Sequence, residues 1–121
     1  MKIVILISYP ALREDLRDLL ALEGYDVHIV ENKAKQVNQL FGSRPDIIIC
    51  DNDDLENIKC HDDLQTKFHQ TSHNFVSTIY ITSCSAANSS NHISHNVLSL
   101  QKPFPYDQLL TAIQTLQRYI K

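Results

Sequence analysis

The sequence predicts an α/β domain in which five parallel strands form one doubly wound sheet, a (βα)5 arrangement. Short apolar runs alternate with polar or helical segments along the 121 residues, which indicates βαβ units with right-handed crossovers. Several of the runs are almost continuously apolar, which is typical of strands covered on both faces in a parallel sheet. The predicted strands span residues 2–8, 25–31, 46–50, 77–82 and 97–101.

The first helix is predicted between the first two strands. Four leucines recur there at i, i+4, i+7 and i+8, which is one stripe of an amphipathic helix. Pro10 suits the first turn of this helix, and Gly24 suits the left-handed residue just past its end. The four residues are Leu12, Leu16, Leu19 and Leu20.

The other helices are predicted with unequal clarity. A second helix spans residues 34–41 and ends at Gly42, and a weaker third helix surrounds residues 61–69. Residues 84–96 take the place of a fourth helix, but they are rich in Ser and Asn, which disfavour helix interiors. A degenerate fourth helix or an irregular loop is therefore expected. The last helix is marked by Leu109, Ile113, Leu116 and Ile120.

Size, charge and composition exclude several classes of protein. The length suits a single domain, residues 1–121. A net charge of −3 offers no basic surface for nucleic acid, and no stretch approaches the roughly 20 apolar residues of a membrane helix. The three cysteines lack CxxC spacing, which argues against a disulfide framework or a zinc site. The sequence thus predicts a cytoplasmic protein that binds neither nucleic acid nor membrane.

Three chemically distinct side chains are predicted at the ends of strands. Asp51 follows the third strand, Thr82 ends the fourth, and Lys102 follows the fifth. The carboxyl ends of parallel strands meet at one edge of a sheet, where open α/β sheets bind ligands in a crevice. An acid, a hydroxyl and a cation are therefore expected to converge at that edge.

The chain resembles the receiver domain of bacterial two-component response regulators, the CheY-like superfamily. The resemblance rests on these three residues, on the motif Lys102-Pro103 and on the stretch 10–24. The resemblance covers the whole chain and implies a flavodoxin-like three-layer sandwich with a signalling role and no enzyme activity. It implies that Asp51 accepts a phosphoryl group, that Thr82 and Lys102 contact this group, and that the bond before Pro103 is cis. The implied partner is a signalling protein such as a histidine kinase or a downstream effector, and a homodimer is left open.

The chain departs from the receiver pattern at two places. Receivers carry an acidic pair at the end of the first strand, which helps to hold Mg²⁺, and the matching positions here are Ile7 and Ser8. Receivers also carry an aromatic residue three positions before the lysine, and that position here is Ser99. We therefore expect no cofactor, with Mg²⁺ binding in doubt, and a signalling face that is disabled or rebuilt.

The candidate residues also have plain structural interpretations. Asp51 and Lys102 could form an ion pair for stability alone, and Thr82 could cap a loop. Asp53 and Asp54 could replace the missing acidic pair. The favoured interpretation of these two is a solvated acidic loop that begins the next helix, because nothing in the sequence directs them toward the end of the third strand.

The favoured functional hypothesis is an atypical receiver, or pseudo-receiver, that acts as a protein–protein interaction module with weak or no phosphorylation. The alternative is a functional phosphoacceptor, phosphorylated on Asp51 by a histidine kinase or a phosphotransfer protein. An enzyme or cofactor binder on the same fold is disfavoured. Glycine-rich phosphate-binding loops need several glycines, and the chain has only Gly24 and Gly42.

Overall fold

The computed structural model describes residues 1–30, 45–51, 53, 76–83 and 97–118. Five strands form one parallel sheet in the order β2-β1-β3-β4-β5. This is the flavodoxin-like doubly wound order, and it confirms the predicted fold class. The elements are β1 (Lys2–Leu6), α1 (Pro10–Leu22), β2 (Asp26–Ile29), β3 (Ile47–Asp51), β4 (Ser77–Thr82), β5 (Val97–Gln101) and α2 (Tyr106–Gln117).

The three central strands are buried on both faces and are aligned by hydrogen bonds at their start. All five residues of β3 are buried, and its neighbours β1 and β4 are buried along nearly their whole length. At the start of the β1–β3 pair, the Lys2 backbone N–H donates to Asp46 Oδ2 at 2.8 Å, and the Asp46 N–H donates to the Lys2 carbonyl at 2.8 Å. These paired bonds hold the two strands in alignment before the apolar residues begin.

The apolar side chains of the sheet alternate between two clusters, as the two-residue period of a strand requires. One cluster joins the sheet to α1 and α2, so these two helices cover the same face. The other cluster lies on the opposite face and includes Cys50, a buried thiol. The buried residues on the helix-covered face include Ile3, Ile5, Ile7, Ile49, Ile79 and Ile81, and those on the opposite face include Val4, Leu6, Ile48 and Val76.

Helix α1 begins and ends at the residues that the sequence indicated. Pro10 is its first residue, and Gly24 has a φ of 93°, a value that L side chains rarely adopt. The Gly24 N–H donates to the Ala21 carbonyl at 3.0 Å, and the Tyr25 N–H donates to the Leu20 carbonyl at 3.2 Å. These two bonds form a Schellman motif, which satisfies carbonyls that the helix end would otherwise leave unpaired.

The observed elements differ from the predicted ones in detail. Strand β1 ends at Leu6 rather than at residue 8, and β3 extends through Asp51. Leu16 and Leu20 are buried, whereas Leu19 is 39% exposed, so its predicted place in the buried stripe is wrong. The reason is geometric. Successive residues are rotated by about 100° around the helix axis, so Leu19 lies at the edge of the face that Leu16 and Leu20 bury.

Several predictions fall on residues outside the described ranges. They are the second helix at 34–41, the third helix around 61–69, the degenerate segment 84–96, and the positions of Asp54 and Ile120. None of the helices in the part of the chain that the structure describes is long and apolar enough to span a membrane.

Replacing Gly24 with Ala should lower the free energy of unfolding by about 1 kcal/mol, because a Cβ is strained at positive φ. No atom lies within 4 Å of the position that the new Cβ would take, so the loss should come from backbone conformation and not from a clash. Gly24→Asn is the matched control and should lose less, since Asn tolerates left-handed conformations. Urea unfolding measures both variants, and an equal loss in the two would contradict this account.

Candidate functional site

The three strand-end residues singled out in the sequence lie at one edge of the sheet. Asp51 is the last residue of β3, Thr82 is the last residue of β4, and Lys102 follows β5 directly. The Lys102 backbone N–H donates to the Thr82 carbonyl at 2.8 Å, which extends the β4–β5 pairing by one step. The peptide bond between Lys102 and Pro103 is cis, as the resemblance implied.

Lys102 and Asp51 form a partly buried ion pair. Lys102 Nζ lies 2.9 Å from Asp51 Oδ2, and the Asp51 side chain is only 8% exposed. A charge-assisted bond of this length compensates a carboxylate for much of the hydration that it loses on burial. The pairing that the sequence raised as a structural interpretation of these residues is therefore present.

The side chain of Asp53 turns into the same site. Its Oδ1 accepts a hydrogen bond from Thr82 Oγ1 at 3.2 Å, and its Oδ2 lies 3.2 Å from Lys102 Nζ. The Ser83 backbone N–H donates to both oxygens, at 3.2 Å to Oδ1 and 2.9 Å to Oδ2. The interpretation of Asp53 as part of a solvated loop is wrong, because donors from two other strand ends bind its carboxylate.

The backbone around Asp53 is also tied to Asp51. The Asp53 N–H donates to Asp51 Oδ1 at 3.0 Å, while Asp51 Oδ2 pairs with Lys102. Both oxygens of Asp51 therefore accept hydrogen bonds within the chain. The one sequence signal for this arrangement is the position of Asp53, two residues past a strand-end carboxylate and within reach of the same edge.

The ionisation of the site follows from these contacts. Partial burial raises the pKa of Asp53, but the hydrogen bonds from Lys102 and Ser83 and the positive charge of Lys102 outweigh it and hold this pKa below its ordinary value. Partial burial lowers the pKa of Lys102, but the hydrogen bonds to Asp51 and Asp53 and the charges of these carboxylates raise it above its ordinary value. Asp53 is thus ionised and Lys102 protonated at neutral pH.

The two positions to which the resemblance assigns an acidic pair, Ile7 and Ser8, hold no carboxylate. Leu6 pairs with Cys50 in the β1–β3 register, so Ile7 follows beside Asp51, where it is 1% exposed and packs in the helix-covered cluster. Ser8 is exposed. Among the described residues, no group of three or more His, Cys, Asp or Glu side chains is arranged to hold a metal ion.

Within the described ranges, the donors around Asp51 do not fit Mg²⁺, which takes oxygen ligands in octahedral geometry. Asp51 Oδ2 and Asp53 Oδ2 both face the Lys102 ammonium, and a divalent cation bound to these oxygens would lie next to that positive charge. On the β1 side, the buried side chain of Ile7 supplies no oxygen. A metal bound to these two Oδ2 atoms would therefore compete with Lys102.

Ser99 lies in the middle of β5, away from the ion pairs. It pairs with Tyr80 of β4 and is partly buried, as Tyr80 is. Beside it, an open groove of about 390 Å³ runs between β5 and α2. The groove is lined by Leu98, Ser99, Leu100, Asp107, Gln108, Thr111, Ala112 and Thr115.

Comparison of the whole fold with solved structures gives a consistent answer. The chemotaxis protein CheY4 from Vibrio cholerae matches with a TM-score of 0.76 at 18% identity, over 95% of this chain and 97% of that one. The response regulator TrrA from Thermotoga maritima, solved in complex with Mg²⁺ and BeF, matches with a TM-score of 0.69 at 21% identity, over 95% and 97%. A response regulator receiver protein from Sinorhizobium medicae matches with a TM-score of 0.67 at 21% identity, over 97% and 94%.

The chain has the fold of a receiver domain. TrrA has also been solved in complex with the histidine kinase ThkA, and that structure matches with a TM-score of 0.67 at 20% identity, over 95% of this chain and 97% of that one. No protein-family model and no curated protein matches the sequence. At these identities the likeness establishes the fold, and the chemistry of the site has to be argued from its own residues.

Replacing Lys102 with Met keeps the aliphatic stem and removes the ammonium, and it should lower the free energy of unfolding by about 1–3 kcal/mol. The reason is that Asp51, which is almost fully buried, loses the cation that binds its Oδ2. Adding Asp51→Asn to Lys102→Met should recover part of the loss, since a neutral amide needs no counter-charge. Urea unfolding of the four proteins in this cycle measures the coupling, and additive losses would show that the pair contributes nothing.

Proposed function

We propose that this chain is an atypical receiver domain in two-component-type signalling, one that acts as a protein–protein interaction module with weak or no phosphorylation of Asp51. The observation that carries the proposal is the pair of positions beside Asp51. The structure has a buried apolar Ile7 and an exposed Ser8 at the two positions to which the receiver resemblance assigns the acidic pair. The receiver fold is retained around these positions, which supports a binding function for the domain rather than loss of all function.

The chemistry of phosphoryl transfer explains why these two positions matter. In such a transfer, the Asp51 carboxylate would form a bond to phosphorus as the bond from phosphorus to the donor breaks. Negative charge spreads over the phosphoryl oxygens in the transition state, and catalysis depends on cations and hydrogen-bond donors that neutralise it. Lys102 is a cation at the site, but its ammonium already contacts both Asp51 and Asp53. Without the acidic pair that helps receivers to hold Mg²⁺, Lys102 alone must balance the phosphoryl charge. Weak or absent phosphorylation is the proposed consequence.

The proposed partner is a signalling protein, either a histidine kinase or a downstream effector. The complex of the similar regulator TrrA with the histidine kinase ThkA supports this class of partner. A net charge of −3 offers no electrostatic support for nucleic acid as a partner. We propose a cytoplasmic, non-enzymatic role that uses no cofactor, in line with a site whose oxygens are bound by the chain's own donors.

The second candidate is a functional phosphoacceptor that is phosphorylated on Asp51. One observation favours it: Asp51, Thr82 and Lys102 keep the positions at the ends of β3, β4 and β5 that the receiver resemblance assigns to phosphoryl chemistry. This candidate requires Asp51 to react without the acidic pair and with Lys102 shared between two carboxylates.

The two candidates are separated by incubation with acetyl phosphate and MgCl₂, followed by intact-protein mass spectrometry. The atypical receiver should gain little or no phosphoryl mass, because the charge that develops in the transition state is poorly neutralised. Asp51→Asn is the control that assigns any label to Asp51. Rapid and complete labelling of the wild type, absent in Asp51→Asn, would establish the second candidate and overturn the first.

Restoring the acidic pair should restore a response to metal. We expect Mg²⁺ to stabilise the double variant Ile7→Asp, Ser8→Asp and to leave the wild type nearly unchanged, because the new carboxylates would repel Asp51 until a divalent ion neutralises them. At 100 times the dissociation constant, the ion would add about 2.7 kcal/mol to the free energy of unfolding.

The matched control for this variant is Ile7→Asn with Ser8→Asn, which has the same size and polarity without the charge. Thermal unfolding with and without MgCl₂ measures all three proteins. A folded acidic variant with no Mg²⁺ response would show that positions 7 and 8 do not face Asp51.

A further inference from the structure

The donors that hold the Asp53 carboxylate come from two separate strand ends. Thr82 contributes a hydroxyl, Ser83 contributes a backbone N–H, and Lys102 contributes an ammonium. These bonds join positions 29 to 49 residues away from Asp53 in the sequence. A hydroxyl, an amide and an ammonium that converge on two oxygens of one anion form an oxyanion-binding site.

The Asp53 carboxylate also lies where an incoming oxyanion would have to bind. Its oxygens take up the Thr82 hydroxyl and share the Lys102 ammonium with Asp51, and these are the groups that the proposed function assigns to phosphoryl contact. Any external anion that used these donors would also bring a second negative charge close to Asp53. The internal carboxylate and an external oxyanion therefore compete for one set of donors.

We propose that Thr82, the Ser83 amide and Lys102 form an oxyanion-binding site whose resident ligand is the chain's own Asp53 carboxylate. Thr82 and Lys102 are thereby held in an anion-bound arrangement without a phosphoryl donor, and a tetrahedral oxyanion such as phosphate binds only when Asp53 is removed. The inference deepens the proposed function, on which it rests for the identity of Thr82 and Lys102 as the phosphoryl-contact residues.

The tether gives the internal ligand its advantage. Asp53 is two residues from Asp51, and its backbone N–H is held by Asp51 Oδ1 at 3.0 Å. A ligand on so short a tether is present at an effective concentration of at least the millimolar range, whatever the concentration of free anion. Free phosphate well below that range should therefore fail to displace the Asp53 carboxylate.

The test is a titration with inorganic phosphate at constant ionic strength, followed at the Ser83 amide by ¹H–¹⁵N NMR. The Ser83 signal should stay in place in the wild type and shift with saturation in Asp53→Ala, with phosphate binding at least about tenfold tighter than in the wild type. Adding Thr82→Val to Asp53→Ala removes one donor at almost constant shape and should weaken this binding again.

Two results would overturn the inference. If Asp53→Ala folds and binds no phosphate, the donors do not form an oxyanion site. If the wild type and Asp53→Ala both bind phosphate with the same affinity, Asp53 is not the occupant. Asp53→Asn is a near-isosteric variant that removes the charge but keeps an acceptor, and its affinity for phosphate should fall between the two.

A measurement on the wild type covers the case in which Asp53→Ala does not fold. The Ser83 amide shift should be constant at neutral pH and should change as pH falls through the pKa of Asp53, below the ordinary carboxyl value, since protonation weakens the carboxylate as an acceptor. Asp51 and Lys102 are the charged groups that contact Asp53 in the described structure, and Lys102 stays protonated over this range. A Ser83 signal that does not follow this titration would overturn the inference.

The outcome is separable from that of the proposed function. Inorganic phosphate does not phosphorylate Asp51, so its binding to Asp53→Ala reports on the oxyanion site alone. The titration is repeated in an Asp51→Asn background, where phosphorylation is excluded, and Asp53→Ala should again bind phosphate more tightly. Labelling of the wild type by acetyl phosphate would count against the proposed function, whereas absence of phosphate binding by Asp53→Ala counts against this inference.

Discussion

The parallel register of the buried strands β1, β3 and β4 is the constraint on which the site depends. Ile5 pairs with Ile49, and Ile49 pairs with Ile79, so that one row of apolar side chains faces α1 and α2. A slip by one residue would turn each strand's side chains to the opposite face. The same register brings Asp51 and Thr82 to one edge of the sheet, and the Lys102 N–H extends it to the end of β5. Convergence of the polar residues is a consequence of core packing.

At that edge, the position of one ammonium group decides the electrostatics. Lys102 Nζ lies 2.9 Å from Asp51 Oδ2 and 3.2 Å from Asp53 Oδ2, so a single positive charge serves two carboxylates. In phosphoryl transfer more generally, a divalent cation and a lysine together neutralise the negative charge. Here Ile7 packs in the core beside Asp51 and supplies no metal ligand. The sharing of one ammonium between two carboxylates underlies both proposals, the weak phosphorylation and the internal ligand. When no phosphoryl group is bound, the hydrogen-bond donors of the site still need an acceptor, and the Asp53 carboxylate supplies it.

Strand β5 and helix α2 border the groove that could serve the proposed role in protein binding. The receiver resemblance assigns an aromatic residue to the position of Ser99. Ser99 is partly buried in β5, and its short side chain cannot replace the inward and outward movement of an aromatic ring. Leu98 and Leu100 pack on the helix-covered face, and the groove between β5 and α2 lies beside them. The bond from the Lys102 N–H to the Thr82 carbonyl joins the site to the end of β5, the strand that lines this groove.

The sequence by itself determined the fold class, which is a doubly wound parallel sheet. It also determined the ends of α1, the position of α2 and the convergence of Asp51, Thr82 and Lys102. The helix ends follow from local patterns, because Pro10 and Gly24 act within a few residues of their own position. The convergence follows from the predicted fold, because the carboxyl ends of parallel strands meet at one edge of a sheet. Only the tertiary structure decided the role of Asp53. In sequence it is one of several acids after β3, and its orientation depends on donors from β4 and β5 that are 29 to 49 residues away. Long-range hydrogen bonds of this kind leave no periodic signal in the chain.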